Sequence, residues 1–197
     1  VFGYTEWLIG KLTDEKRSQL ARSFTYMDLC AGLGTTLIVH EAIRLAMARR
    51  GLNINGQCTG LTESDKDRLE ALGRRLDCLG LNAPIKNRNA DLSDDLSDMC
   101  LADLLSMGIV CTDISSCTST PKSLNDLLGS TGASWMPFLA YLDKLPVEDR
   151  PKVIVLECVA NIGANRAIEG RTEKGTKLVV DALRERCYEG EWRNISA

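Results

Sequence analysis

The stretch Phe24-Thr25-Tyr26-Met27-Asp28-Leu29-Cys30-Ala31-Gly32-Leu33-Gly34-Thr35-Thr36 decides the fold. Its first seven residues are mostly aromatic and apolar, as a strand requires, and the two glycines that follow permit a tight turn into a helix. That helix is expected from about Thr35 to Arg50, ended by Gly51. Further along, residues 57–62 suit a second strand ending at Glu63, and Ser64 is placed to cap a charged helix reaching Leu79 before Gly80. Residues 83–90 read as a weak third strand ending at Asp91, and residues 95–105 as a short helix. The uncharged run Met107-Gly108-Ile109-Val110 reads as a strand buried on both faces of a parallel sheet, which puts Cys111 at its end. Residues 129–132 suggest loop, 134–145 a helix and 146–151 a turn. Val153-Ile154-Val155-Leu156 repeats the apolar strand pattern and finishes at Glu157. A last helix is expected over 172–187, with residues 192–195 starting another strand, while residues 1–23 carry no clear pattern. Five strands alternating with helices predict an α/β fold, a parallel Rossmann-like sheet with right-handed crossovers.

Composition sets the outer bounds. The chain has 197 residues, 44% of them hydrophobic, which suits a single domain over residues 1–197 with a full core. The eight cysteines are scattered without close pairing, several of them in apolar runs where a free thiol behaves as a small hydrophobe. That usage suggests a reducing, intracellular location: the nucleus in a eukaryote, otherwise the cytoplasm. No apolar run approaches the roughly 20 residues of a membrane span, so no membrane partner is expected. With 24 basic against 27 acidic residues the net charge is -3, which by itself gives no strong electrostatic footprint for nucleic acid.

Ligands of open α/β sheets bind beyond the carboxyl ends of the strands. If the Cys111 and Glu157 strands are neighbours, roughly 5 Å apart, a thiol and a carboxylate share one rim as a nucleophile and an acid/base group. The glycine turn narrows the cofactor. Leu37 stands where a dinucleotide fingerprint needs its third glycine, and no lysine follows to complete a phosphate loop. S-adenosylmethionine remains: its methionine part needs close backbone approach and its ribose an acidic acceptor, for which Asp28, the glycines and Glu63 are suited.

These residues carry a family resemblance. Asp28-Leu29-Cys30-Ala31-Gly32-Leu33-Gly34 resembles the first motif of the cytosine-C5 DNA methyltransferases, and Gly108-Ile109-Val110-Cys111-Thr112-Asp113-Ile114-Ser115 resembles the motif that holds their catalytic Pro-Cys. Leu156-Glu157-Cys158-Val159 resembles their Glu-Asn-Val motif. The resemblance extends in order from Phe24 to Ile162 and would make the chain the N-terminal, catalytic part of such an enzyme, without a target-recognition domain. It implies S-adenosylmethionine held by Asp28, Leu29, Cys30, Ala31, Gly32 and Gly34, with Glu63 on the ribose and Asp91 at the adenine. It also implies a covalent mechanism in which Cys111 attacks carbon 6 of cytosine while Glu157 contacts ring nitrogen 3, on a base drawn out of the helical stack. Val110 stands where the family has proline, Thr112 for glutamine, Cys30 for phenylalanine, Thr35 for glycine and Cys158 for asparagine.

Two alternatives stay open at this level: a non-catalytic relative that binds cofactor or partner, and a methyltransferase acting on transfer RNA. Asp113, two residues from Cys111, would raise the thiol's pKa if its carboxylate lay close. Cys117 has no histidine or Cys-x-x-Cys partner for a metal, and no metal is expected. His40 is read as a packing or surface residue of the first helix. Arg166, Arg171 and Lys174 form a mild basic group where phosphates of a bound strand would lie. Asn194-Ile195-Ser196 matches a glycosylation sequon by chance.

Overall fold

The computed structural model describes residues 10–11, 13–15, 24–53, 55–87, 101–114, 122–126, 129–168 and 171–192. It divides into two compact units, one of Val1–Asn87, Met99–Met107 and Pro151–Val155, the other of Arg88–Asp98, Gly108–Arg150 and Leu156–Ala197.

The first unit is built on a five-stranded sheet. Its strands are β1 (Phe24–Leu29), β2 (Gly56–Glu63), β3 (Ile85–Asn87), β4 (Leu104–Gly108) and β5 (Val153–Glu157), in the order β3-β2-β1-β4-β5. β1 pairs in parallel with β2 and with β4, and β2 in parallel with β3. Helix α1 (Thr35–Ala48) joins β1 to β2, and α2 (Lys66–Leu79) joins β2 to β3. This is the Rossmann-like α/β arrangement expected from the sequence. The chain steps outward from β1 to β3 and then returns to the other side of β1 for β4, so the order reverses between β1 and β4, where such sheets bind ligands.

The helices are held by one apolar face. Leu37 of α1 and Leu72 and Leu76 of α2 bury against Tyr26, Cys58 and Leu61 of the sheet. Helix α2 starts where the Asp65 side chain accepts the Arg68 N–H and stops at Gly80 in the left-handed region. The cap is therefore Asp65, one residue after the expected Ser64. The amino ends of three strands are tied by Asp103. Its carboxylate accepts from the Thr25 N–H and hydroxyl at 2.9 and 3.0 Å and from Lys152 Nζ at 2.5 Å, and its carbonyl accepts from Lys152 N and Val153 N.

Three expectations about the strands need correction. β4 ends at Gly108, and its first residues Leu104 and Leu105 lie in the stretch expected to be helix. Cys111 therefore lies three residues past the strand, in a turn. β5 is the last strand in the sheet order, with Val153 and Val155 about half exposed, so its apolar run is not buried on both faces. The third strand is short, and residues 88–100, which include Asp91 and most of the expected 95–105 helix, lie outside the described residues.

The second unit contains α3 (Ser130–Lys144), a 3-10 turn at Ala160–Gly163, an antiparallel hairpin of β6 (Asn165–Ile168) and β7 (Arg171–Lys174), and α4 (Gly175–Arg184). Helix α3 begins at Ser130, inside the stretch expected to be loop, and buries Trp135, Phe138 and Leu142 completely. The hairpin occupies the start of the expected 172–187 helix, which begins instead at Gly175. A Cβ at Gly175 would sit 2.6 Å from Ile162 Cγ1, so glycine permits the close seat of α4. Trp192 is in no strand, and residues 193–197 lie outside the described residues. No helix among the described residues is long and apolar enough to cross a membrane.

Candidate cofactor turn and thiol loop

The first candidate site lies in the first unit, at the carboxyl ends of β1 and β2. After Leu29 the chain turns through Cys30, Gly32 and Gly34 at φ 55, 57 and 73°, and such left-handed residues crowd a turn's N–H groups together. Each is claimed. Cys30 N donates to Thr62 Oγ1 at 3.0 Å, Ala31 N to Thr62 O at 2.8 Å and Gly32 N to Glu63 Oε2 at 2.7 Å. The other carboxylate oxygen, Oε1, accepts from Ser64 N at 2.8 Å and Asp65 N at 3.0 Å. The Leu33 carbonyl accepts from the Arg75 guanidinium of α2.

Glu63 thus fastens the glycine turn to the end of β2. A carboxylate offers about four lone-pair positions; among the described residues three are used, and the one left is on Oε2. Among the described residues, its chain neighbours aside, nothing lies within 4 Å of where a Cβ of Gly32 would be, so they leave the backbone approachable there. Leu33 is about half exposed beside it, whereas Leu29 is fully buried and Asp28 nearly so. The turn therefore offers backbone and one acid, with the Asp28 and Leu29 side chains beneath it.

Asp28 accepts from Ser106 Oγ of β4 at 2.8 Å, at the point where the strand order reverses. Burial lifts its carboxyl to about 6, against the hydrogen bonds of Ser106 and Thr36, with the Glu63 charge adding to the rise. Burial, then the charges of Glu63 and Asp28, pushes the Cys30 thiol up to about 12. Cys30 is thus a protonated spacer and no nucleophile near neutral pH.

The second candidate site lies in the second unit. Ile109 N donates to Glu157 O at 2.9 Å, which brings the chain just before Cys111 alongside the end of β5. Cys111 is a half-buried free thiol; its carbonyl accepts from Ile114 N at 3.2 Å and closes a turn. Glu157 is exposed. Asp113 Oδ2 accepts from Thr131 N at 2.7 Å, in the first turn of α3. Asn161 Nδ2 donates to the Ile114 carbonyl at 2.7 Å.

Methyltransferases are among the solved structures similar to this chain. One is a precorrin-6y C5,15-methyltransferase from Geobacter metallireducens, 15% identical with a TM-score of 0.49, the match covering 93% of this chain and 70% of that one. Another is a tRNA (uracil-54, C5)-methyltransferase from Pyrococcus abyssi in complex with S-adenosyl-L-homocysteine. It is 14% identical with a TM-score of 0.38, and the match covers 80% of this chain and 29% of that one. An rRNA methylase from Streptococcus thermophilus is 14% identical with a TM-score of 0.39, the match covering 81% and 71%. Likeness at this level assigns no activity to the chain. No protein-family model matches the sequence, and no curated protein does so significantly.

Of the remaining candidates, Asp91 and Cys117 lie outside the described residues. Arg166, Arg171 and Lys174 fall on the β6–β7 hairpin. His40 packs in the core of the first unit, stacked on Tyr26 with ring centroids 4.1 Å apart, and burial lowers its pKa to about 4. Among the described residues no group of three His, Cys, Asp or Glu side chains is placed to hold a metal. Sequence reasoning missed Thr62, Ser106 and Asn161. Thr62 precedes Glu63 and was legible as part of that strand end, but the partners of Ser106 and Asn161 are 78 and 47 residues away.

Proposed function

We propose that the chain binds S-adenosylmethionine over the glycine turn and transfers a methyl group to carbon 5 of cytosine in DNA, with Cys111 as nucleophile and Glu157 as acid. The observation that carries the cofactor part is the Glu63 clasp. An acid at the end of β2 is fixed against an open glycine backbone, with an acceptor position to spare for a ribose hydroxyl, beside the reversal of strand order where ligands of such sheets bind. The residues fit the cofactor on this count, with the Cys30–Gly34 backbone toward its methionine part. Asp91 is assigned to its adenine on the family resemblance.

When bound, the cofactor supplies an electrophilic methyl group. The chain's own residues make cytosine able to accept it. The Cys111 thiolate forms a bond to carbon 6 as a proton passes through Glu157 to ring nitrogen 3, and the electron pair of the carbon 5–carbon 6 double bond becomes available at carbon 5. After carbon 5 has taken the methyl group, a base removes the proton there, nitrogen 3 returns its proton, and the Cys111–carbon 6 bond breaks to release the thiolate. The net change is one methyl group for one proton. The bond from the Ile109 N–H to the Glu157 carbonyl supports this pairing because it sets the chain just before Cys111 beside Glu157.

A cytosine carrying fluorine at carbon 5 has no proton to lose there, so the thiol stays bonded to carbon 6. With a duplex containing this base and S-adenosylmethionine, an adduct is expected on Cys111 by peptide mass. It is expected to be lost in Cys111→Ser, kept in Cys117→Ser and reduced at least tenfold in Glu157→Gln. A folded, cofactor-bound chain that forms no adduct on DNA or RNA would favour a non-catalytic binding role, and one that forms it only on transfer RNA would move the substrate to RNA.

A further inference from the structure

We infer that Asp113 is a positioning residue: it ties the turn carrying Cys111 to the first turn of α3 and so fixes the direction of the thiol. The inference rests on Cys111 being the nucleophile proposed above, but its geometry stands apart from that reading.

Helix α3 has no capping side chain of its own, because its N-cap is Gly129 in an extended conformation. Such an end leaves N–H groups without partners and carries a partial positive charge. Asp113 supplies the cap from 18 residues upstream. Its Oδ2 accepts the Thr131 N–H at 2.7 Å, and its own N–H approaches Thr131 Oγ1 at 3.4 Å. The glycine is needed for this: a Cβ on Gly129 would lie 2.8 Å from Asp113 Oδ2 and 3.1 Å from Lys122 Cδ. An ordinary N-cap serine or aspartate would compete with Asp113 for its place. The helix has left its cap to the loop.

Cys111 is two residues from that carboxylate, with Ile114 N closing the turn onto its carbonyl. On the far side of the turn Asn161 holds the Ile114 carbonyl, and on the near side Ile109 is bonded to Glu157. Among the described residues the turn is held by these bonds and by Lys122 N, which donates to the Asp113 carbonyl at 3.4 Å, and Asp113 adds to them a bond through a charged group.

A cap and a tether can be separated. Asp113→Ala removes both. Adding Gly129→Ser to it restores a capping side chain within the helix, where the space vacated by the carboxylate admits the new Cβ, but leaves the turn untied. Two rates are read for Cys111 by peptide mass: alkylation by iodoacetamide, and adduct formation with 5-fluorocytosine DNA and S-adenosylmethionine. Expected in Asp113→Ala is a lower melting temperature, alkylation several-fold faster because the half-buried thiol is freed, and adduct formation at least tenfold slower. In the double variant the melting temperature is expected to recover while both rates keep their altered values. Recovery of both rates with the melting temperature would make Asp113 a stability residue only, and unchanged rates in Asp113→Ala would equally overturn the inference. If the unaltered chain forms no adduct, the proposed reaction falls, and alkylation alone decides whether the tether exists.

Discussion

Asp28→Asn is expected to make the protein more stable at neutral pH and to uncover a pH dependence that the unaltered chain conceals. The Asp28 carboxyl is almost fully buried between β1 and β4, with its pKa raised from 3.8 to about 6 by burial first of all. An acid whose folded pKa is raised loses its proton first in the unfolded chain, so folding stability falls as pH rises from about 4 to about 6 and stays low above. At 1.36 kcal/mol per pH unit the ionised group costs roughly 3 kcal/mol at pH 7. Asparagine keeps an acceptor for Ser106 Oγ and carries no charge, so most of that cost should disappear. His40 acts the other way. Burial lowers its pKa from 6.5 to about 4, so its effect is to stabilise less as pH falls through the same window. In the unaltered chain the two oppose each other and the profile is shallow. Urea unfolding from pH 4 to 7.5 should show Asp28→Asn gaining stability steadily up to about pH 6.5, with a slope of up to about 1.4 kcal/mol per pH unit, and exceeding the unaltered chain by roughly 1–3 kcal/mol at pH 7. Superimposable profiles, or a variant less stable at pH 7, would refute the account of a charged acid held in a core.

Gly34→Ala meets two obstacles at once, a φ of 73° and a Cβ 2.6 Å from Leu72 Cδ1; thermal melting should show a loss of roughly 2–4 kcal/mol, against a gain of roughly 0.5–1 kcal/mol for Gly73→Ala inside α2, where the space is open among the described residues. Asp103→Ala frees the Thr25 N–H and hydroxyl at the start of β1 and should cost roughly 2 kcal/mol, with little of it from the exposed Lys152 ion pair. Because Lys152 and Thr25 hold the Asp103 carboxyl down to about 2, its contribution is present above pH 4 and lost as pH falls toward 2, so the difference between variant and parent in acid unfolding should close there.

What the sequence made legible was local. The strand and glycine turn of Phe24 to Gly34, the Glu63 end of β2 and the Gly80 stop of α2 each follow from residues within a few positions of one another. What it hid was set from a distance. β4 starts earlier than its apolar run because Ser106, a polar residue in the sheet, is satisfied by Asp28 across the β1–β4 pair. Gly129-Ser130-Thr131-Gly132 reads as loop, yet helix begins there because the cap comes from Asp113; Gly132 is required in that helix because a Cβ would meet the Asp126 carbonyl at 2.0 Å. The exposure of Val153 and Val155 depends on β5 having a strand on one side only in the sheet order, which no periodicity in a five-residue run reveals. The β6–β7 hairpin had a turn signal in Gly170, between two four-residue runs too polar to draw notice as strands. Of the candidate site, the glycine turn and Glu63 were readable as residues, without the Thr62 and Arg75 contacts that hold the turn, and the thiol loop as Cys111 and Glu157, without the Asp113 and Asn161 contacts that hold it.

The central claim is that the glycine turn and Glu63 take S-adenosylmethionine, and calorimetry tests it most directly. Titrating S-adenosyl-L-homocysteine into the chain is expected to give saturable one-to-one binding. Glu63→Gln, checked to be folded by circular dichroism, should weaken it about tenfold or more, as loss of a charged acceptor for a hydroxyl does, and NAD should give no heat under the same conditions. Saturable NAD binding with no response to S-adenosylmethionine or its demethylated product would contradict the account.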